Sequence, residues 1–298
     1  MSSLDRSNRN WKGTREMLGR FRLEEPEKLA EASELLGRYG ESAKIYAGGT
    51  ELLLAMKEGL VRYERLINVK KLGLNQIGSE NGALKIGALC THRELENSPL
   101  LQQRLPAFAN LEHHVANVRV RQAGTLGGNL CFAEPHADPG TLLIALEAKM
   151  IAARGESTRA ISAEAFFVDA FETSLAADEL LTEIHVPAPD SERKCAYLKF
   201  GYLERPSVGV GIALSLRDGG VSDVRIAVGC AGPAPRRVPE AEALLSGKSK
   251  DEATRNLGQA GAIAGRASEA ISDLHGAQDY KEHIVGVLLK RAFQSAVS

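Results

Sequence analysis

Two short glycine-rich runs are the residues of this 298-residue chain best suited to hold a ligand. The first is Ala47-Gly48-Gly49-Thr50-Glu51-Leu52-Leu53 and the second is Thr125-Leu126-Gly127-Gly128-Asn129-Leu130. Glycine has no Cβ, so the backbone can bend sharply and come close to a bound group. A short helical run, Glu51 to Gly59, follows the first glycines. A strand, a glycine loop and a helix N-terminus together present unpaired N–H groups and the positive end of a dipole, which suits a pyrophosphate. Taken alone, the run also reads as a tight strand-to-helix turn. The second run repeats the pattern with Thr125 and Asn129 around its glycines. One dinucleotide diphosphate held between the two loops accounts for both. Neither run has the GxGxxG or GxxxxGK[ST] spacing, which disfavours a nicotinamide Rossmann site and a P-loop ATPase.

Other polar residues have two readings each. Asp138 lies nine residues beyond Asn129. Its carboxylate can accept from ribose hydroxyls, or it can cap the helix that Pro139 opens. Lys199 is either an exposed lysine or one that reaches across an interdomain cleft to a bound cofactor. His113 and His114 are adjacent on a helix, so they point apart and do not chelate as an i, i+4 pair would; structural or solvent roles suit them. His136, in the loop beside Asp138, is placed for a cofactor contact. No Ser/His/Asp or Cys/His constellation assembles. Cys90, Cys131, Cys195 and Cys230 form no CxxC pair, which argues against a zinc ribbon or an iron–sulfur cluster ligated by this chain. They read as free buried thiols.

The positioning elements follow from local signals. A helix is expected from about Pro26 to Tyr39, with Pro26 in its first turn and Gly40 at its C-terminal cap. A strand over Lys44 to Ala47, a short helix and a strand over Arg65 to Val69 make a small β–α–β unit with parallel strands. Asn81-Gly82 between alternating runs predicts a hairpin. Thr91 and Glu94 form a capping box that opens a helical stretch running to about Val118, broken near Pro106. The segment from Arg121 is read as a loop in its first half, then as a buried helix after Asp138-Pro139. A hairpin (Lys149 to Gly155, Ser157 to Ser162) and a strand over Glu179 to Pro187 close this part. Pro187 to Lys194 reads as a linker. Strands over Tyr197 to Leu203, Val208 to Leu216 and Val224 to Ala231 come next, with turns at Arg205-Pro206 and Asp218-Gly219-Gly220. Beyond Gly247 the chain reads as helical to its end, and its last helix, from about Asp279, is expected to bury Ile284, Val287, Leu288, Ala292 and Phe293. The order gives an α+β protein rather than a doubly wound sheet.

Composition narrows the classes. The net charge is −1 and no long basic run is present, so nucleic-acid binding has no electrostatic support. Hydrophobic residues make up 44%, enough for a substantial core. No segment approaches the roughly 18–20 apolar residues of a membrane helix. The polar N-terminus lacks the apolar region of a secretory signal. It reads as a flexible lead, and the chain as cytoplasmic.

Beyond these residue-level readings, the sequence resembles the medium, FAD-binding subunits of the xanthine dehydrogenase and aerobic carbon monoxide dehydrogenase superfamily. The resemblance covers nearly the whole chain: FRLEEPEKLAEASELLGRYG, AKIYAGGTELLLAMKEGLVRYERLINV, LKIGALCTHRELE, VRVRQAGTLGGNLCFAEPHADPGTLLIAL, DELLTEIHVP, YLKFGYLERPSVGVGIALSL and VRIAVGCAGPAPRRVPEAEALLSG. It implies a two-subdomain FAD-binding domain of the vanillyl-alcohol-oxidase/PCMH type, followed by a C-terminal domain of a small antiparallel sheet plus helices. The expected boundaries are a lead over 1–16, an FAD domain over 17–188 (subdomains about 17–73 and 74–188) and a C-terminal domain over 194–298. By this matching Lys44, Ile45, Tyr46, Ala47, Gly48, Gly49, Thr50, Glu51 and Leu52 wrap the FAD diphosphate. Thr125, Leu126, Gly127, Gly128 and Asn129 form the facing loop. Asp138 lies near the diphosphate or ribose, and Leu181 and Lys199 near the isoalloxazine or its edge. Val115 and Ala116 fall where some relatives set an aromatic residue against the flavin; Val115 is aliphatic.

The implied role is electron transfer. A large subunit carrying molybdopterin and a small subunit carrying two 2Fe–2S clusters are the implied partners, in a dimer of heterotrimers. NAD, quinone and oxygen all remain open as acceptor. No catalytic acid or base and no metal ligand is assigned to this chain. Two rivals stand beside this reading: a stand-alone FAD oxidoreductase, which needs an acid or base near the flavin, and a non-redox nucleotide-binding module.

Overall fold

The structure is a computed structural model and describes residues 19–187, 193–201 and 205–297. The expected lead over 1–16 and most of the expected linker, 188–192, lie outside the described residues. Strand β1 (Arg22–Glu24), helix α1 (Leu29–Tyr39), strand β2 (Ala43–Tyr46), helix α2 (Leu52–Lys57) and strand β3 (Arg65–Asn68) form the first unit. Its sheet has the order β1-β3-β2, and both pairs are parallel, as the β–α–β pattern predicts. Ala32 and Leu36 of α1 lie four residues apart and pack on Ala43, Ala47, Ile67 and Val69. The helix starts at Leu29 with Lys28 at its N-cap, so Pro26 precedes the first turn instead of occupying it.

The second unit begins with a hairpin of β4 (Ile77–Glu80) and β5 (Ala83–Gly87). Asn81 (φ 49) and Gly82 (φ 82) both adopt the left-handed conformation that a two-residue hairpin requires. Six short helices follow: α3 (His92–Asn97), α4 (Pro99–Arg104), α5 (Pro106–His113), α6 (Val118–Ala123), α7 (Leu126–Phe132) and α8 (Pro139–Ala145). Then come β6 (Lys149–Arg154), β7 (Ser157–Ser162), α9 (Ala163–Phe166), a small ribbon of β8 (Phe167–Asp169) with β9 (Glu172–Thr173), and β10 (Leu180–Val186). The main sheet has the order β4-β5-β10-β6-β7 and is antiparallel throughout. Its core includes Leu84, Ile86, Leu95, Phe108, Leu126 and Leu142.

Two expectations are corrected here. The helical stretch breaks at Ser98 as well as at Pro106. The Ser98 hydroxyl accepts from Leu101 N–H, and Pro99 opens the new helix, where its missing N–H costs nothing. The segment expected as a loop around the second glycine run is helical on both sides. α6 runs through Ala123, and Thr125 caps α7 by accepting the Gly128 N–H at 3.1 Å. Gly127 and Gly128 are therefore first-turn helix residues.

The third unit is a meander of β11 (Arg193–Phe200), β12 (Val208–Arg217) and β13 (Gly220–Gly229). The short strands β14 (Arg236–Arg237) and β15 (Lys248–Ser249) both pair with β13. Of the strand expected to Leu203, the described part ends at Phe200; residues 202–204 lie outside the described residues. Helices α10 (Pro239–Ala243), α11 (Lys250–Ala267) and α12 (Gln278–Val297) complete the unit. α12 buries Val285, Leu288, Leu289, Ala292 and Phe293, whereas the expected Ile284 and Val287 are only half-buried. The reason lies in its neighbour. α11 approaches α12 backbone to backbone at Gly261 against Gly286 and at Gly265 against Glu282, which turns the 285/289 face toward the sheet.

That approach gives a first prediction. A Cβ on Gly265 would sit 2.6 Å from Glu282 O. Gly265→Val must push the helices apart, at an overpacking cost of about 1–3 kcal/mol. Gly258, on the same helix, has nothing within 4 Å of an added Cβ, and Gly258→Ala should gain about 0.5–1 kcal/mol of helix propensity. Thermal melts of the two variants should move in opposite directions.

Candidate cofactor site

The first glycine run leaves the end of β2 and enters α2. Gly49 takes φ +74, and its carbonyl accepts from Leu53 N–H at 3.0 Å to start the helix. The N–H groups of Gly48, Gly49 and Thr50 donate to no acceptor among the described residues. Three successive backbone donors left this way make a ready anion cradle. Gly48 has another task. An added Cβ there would overlap Ala123 O and lie 2.8 Å from Gly124 Cα. The first run therefore rests on the end of α6, directly before the second run, and Thr50 Oγ1 faces Gly124. The fold brings the two runs side by side.

The second run is stitched to the chain that follows β5. Leu126 N–H donates to Cys90 O at 2.9 Å, Gly127 N–H to Ala88 O at 2.8 Å, and His92 N–H to Gly124 O at 3.1 Å. Leu126 and Gly127 are buried, Gly128 is exposed and Asn129 is half-buried. A Cβ on Gly127 would lie 2.6 Å from Ala88 Cβ, so this glycine serves close packing on the sheet; one on Gly128 would meet only Thr125 Oγ1, at 2.8 Å. Asn129 Oδ1 is buried with no hydrogen-bond partner among the described residues. It is an acceptor suited to a ligand hydroxyl or N–H. The free N–H row, the open face of Gly128 and the orphaned Asn129 oxygen fit a hydroxyl-bearing diphosphate such as FAD.

Lys44 is exposed, Ala47 is buried, and Ile45, Tyr46, Glu51 and Leu52 are half-buried around the first run. Lys70 Nζ lies 4.7 Å from the Tyr46 ring centroid. Leu181 is buried in β10, paired with Ala152 of β6. Val115 packs into the core of the second unit. Ala116 beside it has φ 43.

Asp138 occupies the N-cap position of α8, but its own backbone is αR and its side chain makes no cap hydrogen bond; the capping reading is thereby corrected. Both carboxylate oxygens turn to the third unit. Oδ1 accepts from Tyr197 O–H at 2.7 Å and Oδ2 from Lys199 Nζ at 2.9 Å. Lys199 also donates to His114 O at 2.7 Å and is only 12% exposed. The exposed-lysine reading is likewise overturned: Lys199 reaches across from β11 and ties two units together. Burial pushes the Asp138 carboxyl up, opposed by the Lys199 charge and the Tyr197 hydrogen bond. Burial also holds the Tyr197 hydroxyl and the Cys230 thiol well above their ordinary values.

The remaining candidates settle elsewhere. His113 is largely exposed, 3.6 Å from Glu96, and His114 Nδ1 lies 2.8 Å from Asn110 O. His136 contacts Glu134 at 3.1 Å and Asp273 at 3.3 Å, not Asp138. All four cysteines are free, with Cys90 and Cys230 buried and Cys131 and Cys195 half-buried. Burial pushes the Cys90 and Cys131 thiols up to about 12 and Cys195 to about 11, which suppresses thiolate chemistry. Sequence reasoning missed the buried charges. His92 Nδ1 lies 2.5 Å from Glu112, and Arg121 Nε 2.8 Å from Glu96. The available signal was Glu112 on the apolar face of α5, next to Leu111 and four residues after Phe108.

Comparison with known proteins shows the family. Residues 19–189 match the family described as the FAD binding domain in molybdopterin dehydrogenase. Residues 205–296 match the CO dehydrogenase flavoprotein C-terminal domain. The chain is 34% identical over 281 residues to the carbon monoxide dehydrogenase medium chain of Hydrogenophaga pseudoflava, covering 93% of this chain and 97% of that one. It is 32% identical to the nicotine 6-hydroxylase medium subunit of Paenarthrobacter nicotinovorans, again covering 93% and 97%. Among solved structures, carbon monoxide dehydrogenase from Hydrogenophaga pseudoflava superposes with a TM-score of 0.89 at 33% identity, covering 93% of this chain and 97% of that chain. Quinoline 2-oxidoreductase from Pseudomonas putida 86 gives 0.86 at 28% identity, covering 94% and 97%. The chain thus belongs to the family of FAD-binding flavoprotein subunits of molybdopterin dehydrogenases.

Proposed function

We propose that this chain is the electron-transferring medium subunit of a molybdenum-containing hydroxylase or dehydrogenase complex, and that its FAD lies along the two apposed glycine runs. The observation that carries the placement is the row of free N–H groups at Gly48, Gly49 and Thr50 beside the second run. Lys44 to Leu52 form one wall of this site, with Gly49 and Thr50 donating to the diphosphate and Gly48 fixing the wall against Gly124. Thr125, Gly128 and Asn129 form the other wall, and Leu126 and Gly127 anchor it to the sheet. Asp138, Leu181 and Lys199 border the site, and the Val115–Ala116 turn lies along the ring. Bound FAD supplies electron exchange, singly or in pairs, while the protein supplies position and field. Division into an FAD domain over 17–188 and a C-terminal domain over 194–298 is supported by the two main cores, which meet where Ala213 and Ala227 of the third unit join the core of the second.

The partners in this reading are a large molybdopterin subunit and a small subunit with two 2Fe–2S clusters, in a dimer of heterotrimers. The names of the relatives, medium chain and medium subunit, support a multi-subunit complex. Among the described residues no helix is long and apolar enough to cross a membrane; we place the complex in the cytoplasm.

A visible absorption spectrum of the purified protein tests the cofactor. Two flavin bands are expected, and a colourless protein without affinity for FAD sinks the reading. Gly128→Val tests the placement. The new side chain projects from an exposed first turn that has only the Thr125 hydroxyl beside it, so the helix should survive while FAD is lost. Stoichiometric FAD in that variant would remove the second run from the site. Coexpression with neighbouring genes should yield a complex, and a chain that always elutes alone contradicts the partner assignment.

A further inference from the structure

We propose that the buried Glu96–Arg121 ion pair is a positioning device for the flavin ring, holding the Val115–Ala116 turn so that the Ala116 N–H faces the cofactor. This rests on the placement of that turn along the ring proposed above. Arg121 sits in α6 and is 9% exposed. Its NH1 donates to two successive carbonyls, Val115 O at 3.0 Å and Ala116 O at 3.1 Å. Its Nε lies 2.8 Å from Glu96 Oε2, an ion-pair contact without hydrogen-bond alignment. The Glu96 side chain is 2% exposed, and its other oxygen takes the guanidinium of Arg93 and, at 3.4 Å, the amide of Asn97.

The carbonyl before these two is also held by a cation. His114 O accepts from Lys199 Nζ at 2.7 Å. Three consecutive carbonyls, at 114, 115 and 116, are thus pulled toward two positive side chains. Beyond the turn, Asn117 Oδ1 accepts from Arg119 and Val120 N–H at 3.0 and 3.2 Å and starts α6. The turn is fixed from both sides.

It also holds strain. Ala116 is in the left-handed region at φ 43, which costs a non-glycine residue about 1 kcal/mol or more. Such a conformation persists only where its surroundings enforce it, and the fork of Arg121 is the group that does so. With the carbonyls turned to the arginine, the Ala116 N–H donates to no acceptor among the described residues. A half-buried donor without an acceptor, beside a proposed heteroaromatic ring rich in acceptors, is suited to hydrogen-bond that ring. A planar guanidinium can serve both carbonyls and the carboxylate at once; an ammonium cannot.

The test uses the FAD-loaded protein and reads three quantities: FAD per chain, the visible circular dichroism of the flavin, and its midpoint potential. Arg121→Gln should keep FAD, because the diphosphate wall is untouched, but shift the flavin dichroism and the potential. Arg121→Lys should restore part of that shift. A merely structural arginine would lower the melting temperature and leave both flavin signals at wild-type values, and that result overturns the inference. Should Arg121→Gln not fold, Glu96→Gln, which keeps the shape of the side chain, is read in the same way, and unchanged flavin signals there overturn it equally. Ala116→Phe separates this inference from the placement beneath it. No spectral change in Ala116→Phe removes the turn from the ring altogether. A change in Ala116→Phe with none in Arg121→Gln or Glu96→Gln leaves the placement standing and removes only the positioning role.

Discussion

Gly49→Val is expected to give a folded chain that purifies without flavin. Gly49 holds φ +74, a region that β-branched side chains almost never enter. Its added Cβ would also lie 2.5 Å from Tyr46 Cε2 and 3.1 Å from Leu53 Cδ1. The backbone of residues 48 to 50 has to change course, and the row of free N–H groups goes with it. Gly48 to Leu53 are only half-buried, and of the run only Ala47 belongs to the core of Ala32, Leu36, Ile67 and Val69, so the damage stays local, at about 1–3 kcal/mol of backbone strain. Gly59→Val is the matched control. Gly59 has the same φ of +74, but nothing lies within 4 Å of an added Cβ. It should incur a comparable strain and keep its FAD. Flavin absorbance per chain separates the two variants, and equal flavin content in both would remove the first run from the diphosphate site. Gly48→Ala should also lose flavin, by a different route: its methyl overlaps Ala123 O and wedges the two runs apart.

What the sequence made legible here was local. Asn81-Gly82 announced its hairpin because only left-handed residues close a two-residue turn. Thr91 and Glu94 announced a helix start because their reciprocal hydrogen bonds span three residues. The parallel β–α–β unit followed from the order of its runs. The second glycine run was harder, because two opposed signals coincide there. A glycine pair favours a loop, while Thr125 three residues before Gly128 favours a capped helix, and the cap won. What settled it was Ala88, some forty residues upstream, whose backbone leaves space for nothing larger than glycine at 127. A longer separation hid the pairing of Lys199 with Asp138, sixty-one residues apart. Buried charge is the least legible feature of all. Glu112 shows in sequence only by its place on the apolar face of α5, Glu96 and Arg121 not at all, and the packing of α3, α5 and α6 against one another takes all three out of water.

Lys199→Met should destabilise the protein more than any surface change, and by an amount that depends on pH. Asp138 is 4% exposed, and Lys199 is the cation that compensates its charge at 2.9 Å. Removing one member of a buried pair typically costs about 3–5 kcal/mol, because the other is left as an uncompensated charge. In the intact protein burial already raises the Asp138 carboxyl against the opposing effect of Lys199. Without the lysine it rises further. A native carboxyl whose pKa lies above its unfolded value of about 3.9 binds more protons than the unfolded chain does. Stability then falls as pH rises through the window between those two values. The deficit of Lys199→Met relative to wild type should accordingly be smallest in acid and grow toward neutral pH, where Asp138 must either ionise unpaired or take up a proton. Asp138→Asn in the same background removes the charge and keeps an acceptor for Tyr197 O–H, so the double variant should recover much of the loss and flatten the pH dependence. Denaturation midpoints of the wild type, the two single variants and the double variant at acid and neutral pH complete the cycle. Additive effects with no pH dependence would mean that Lys199 and Asp138 do not stabilise each other, and that the link between β11 and α8 rests on Tyr197 and apolar contact alone.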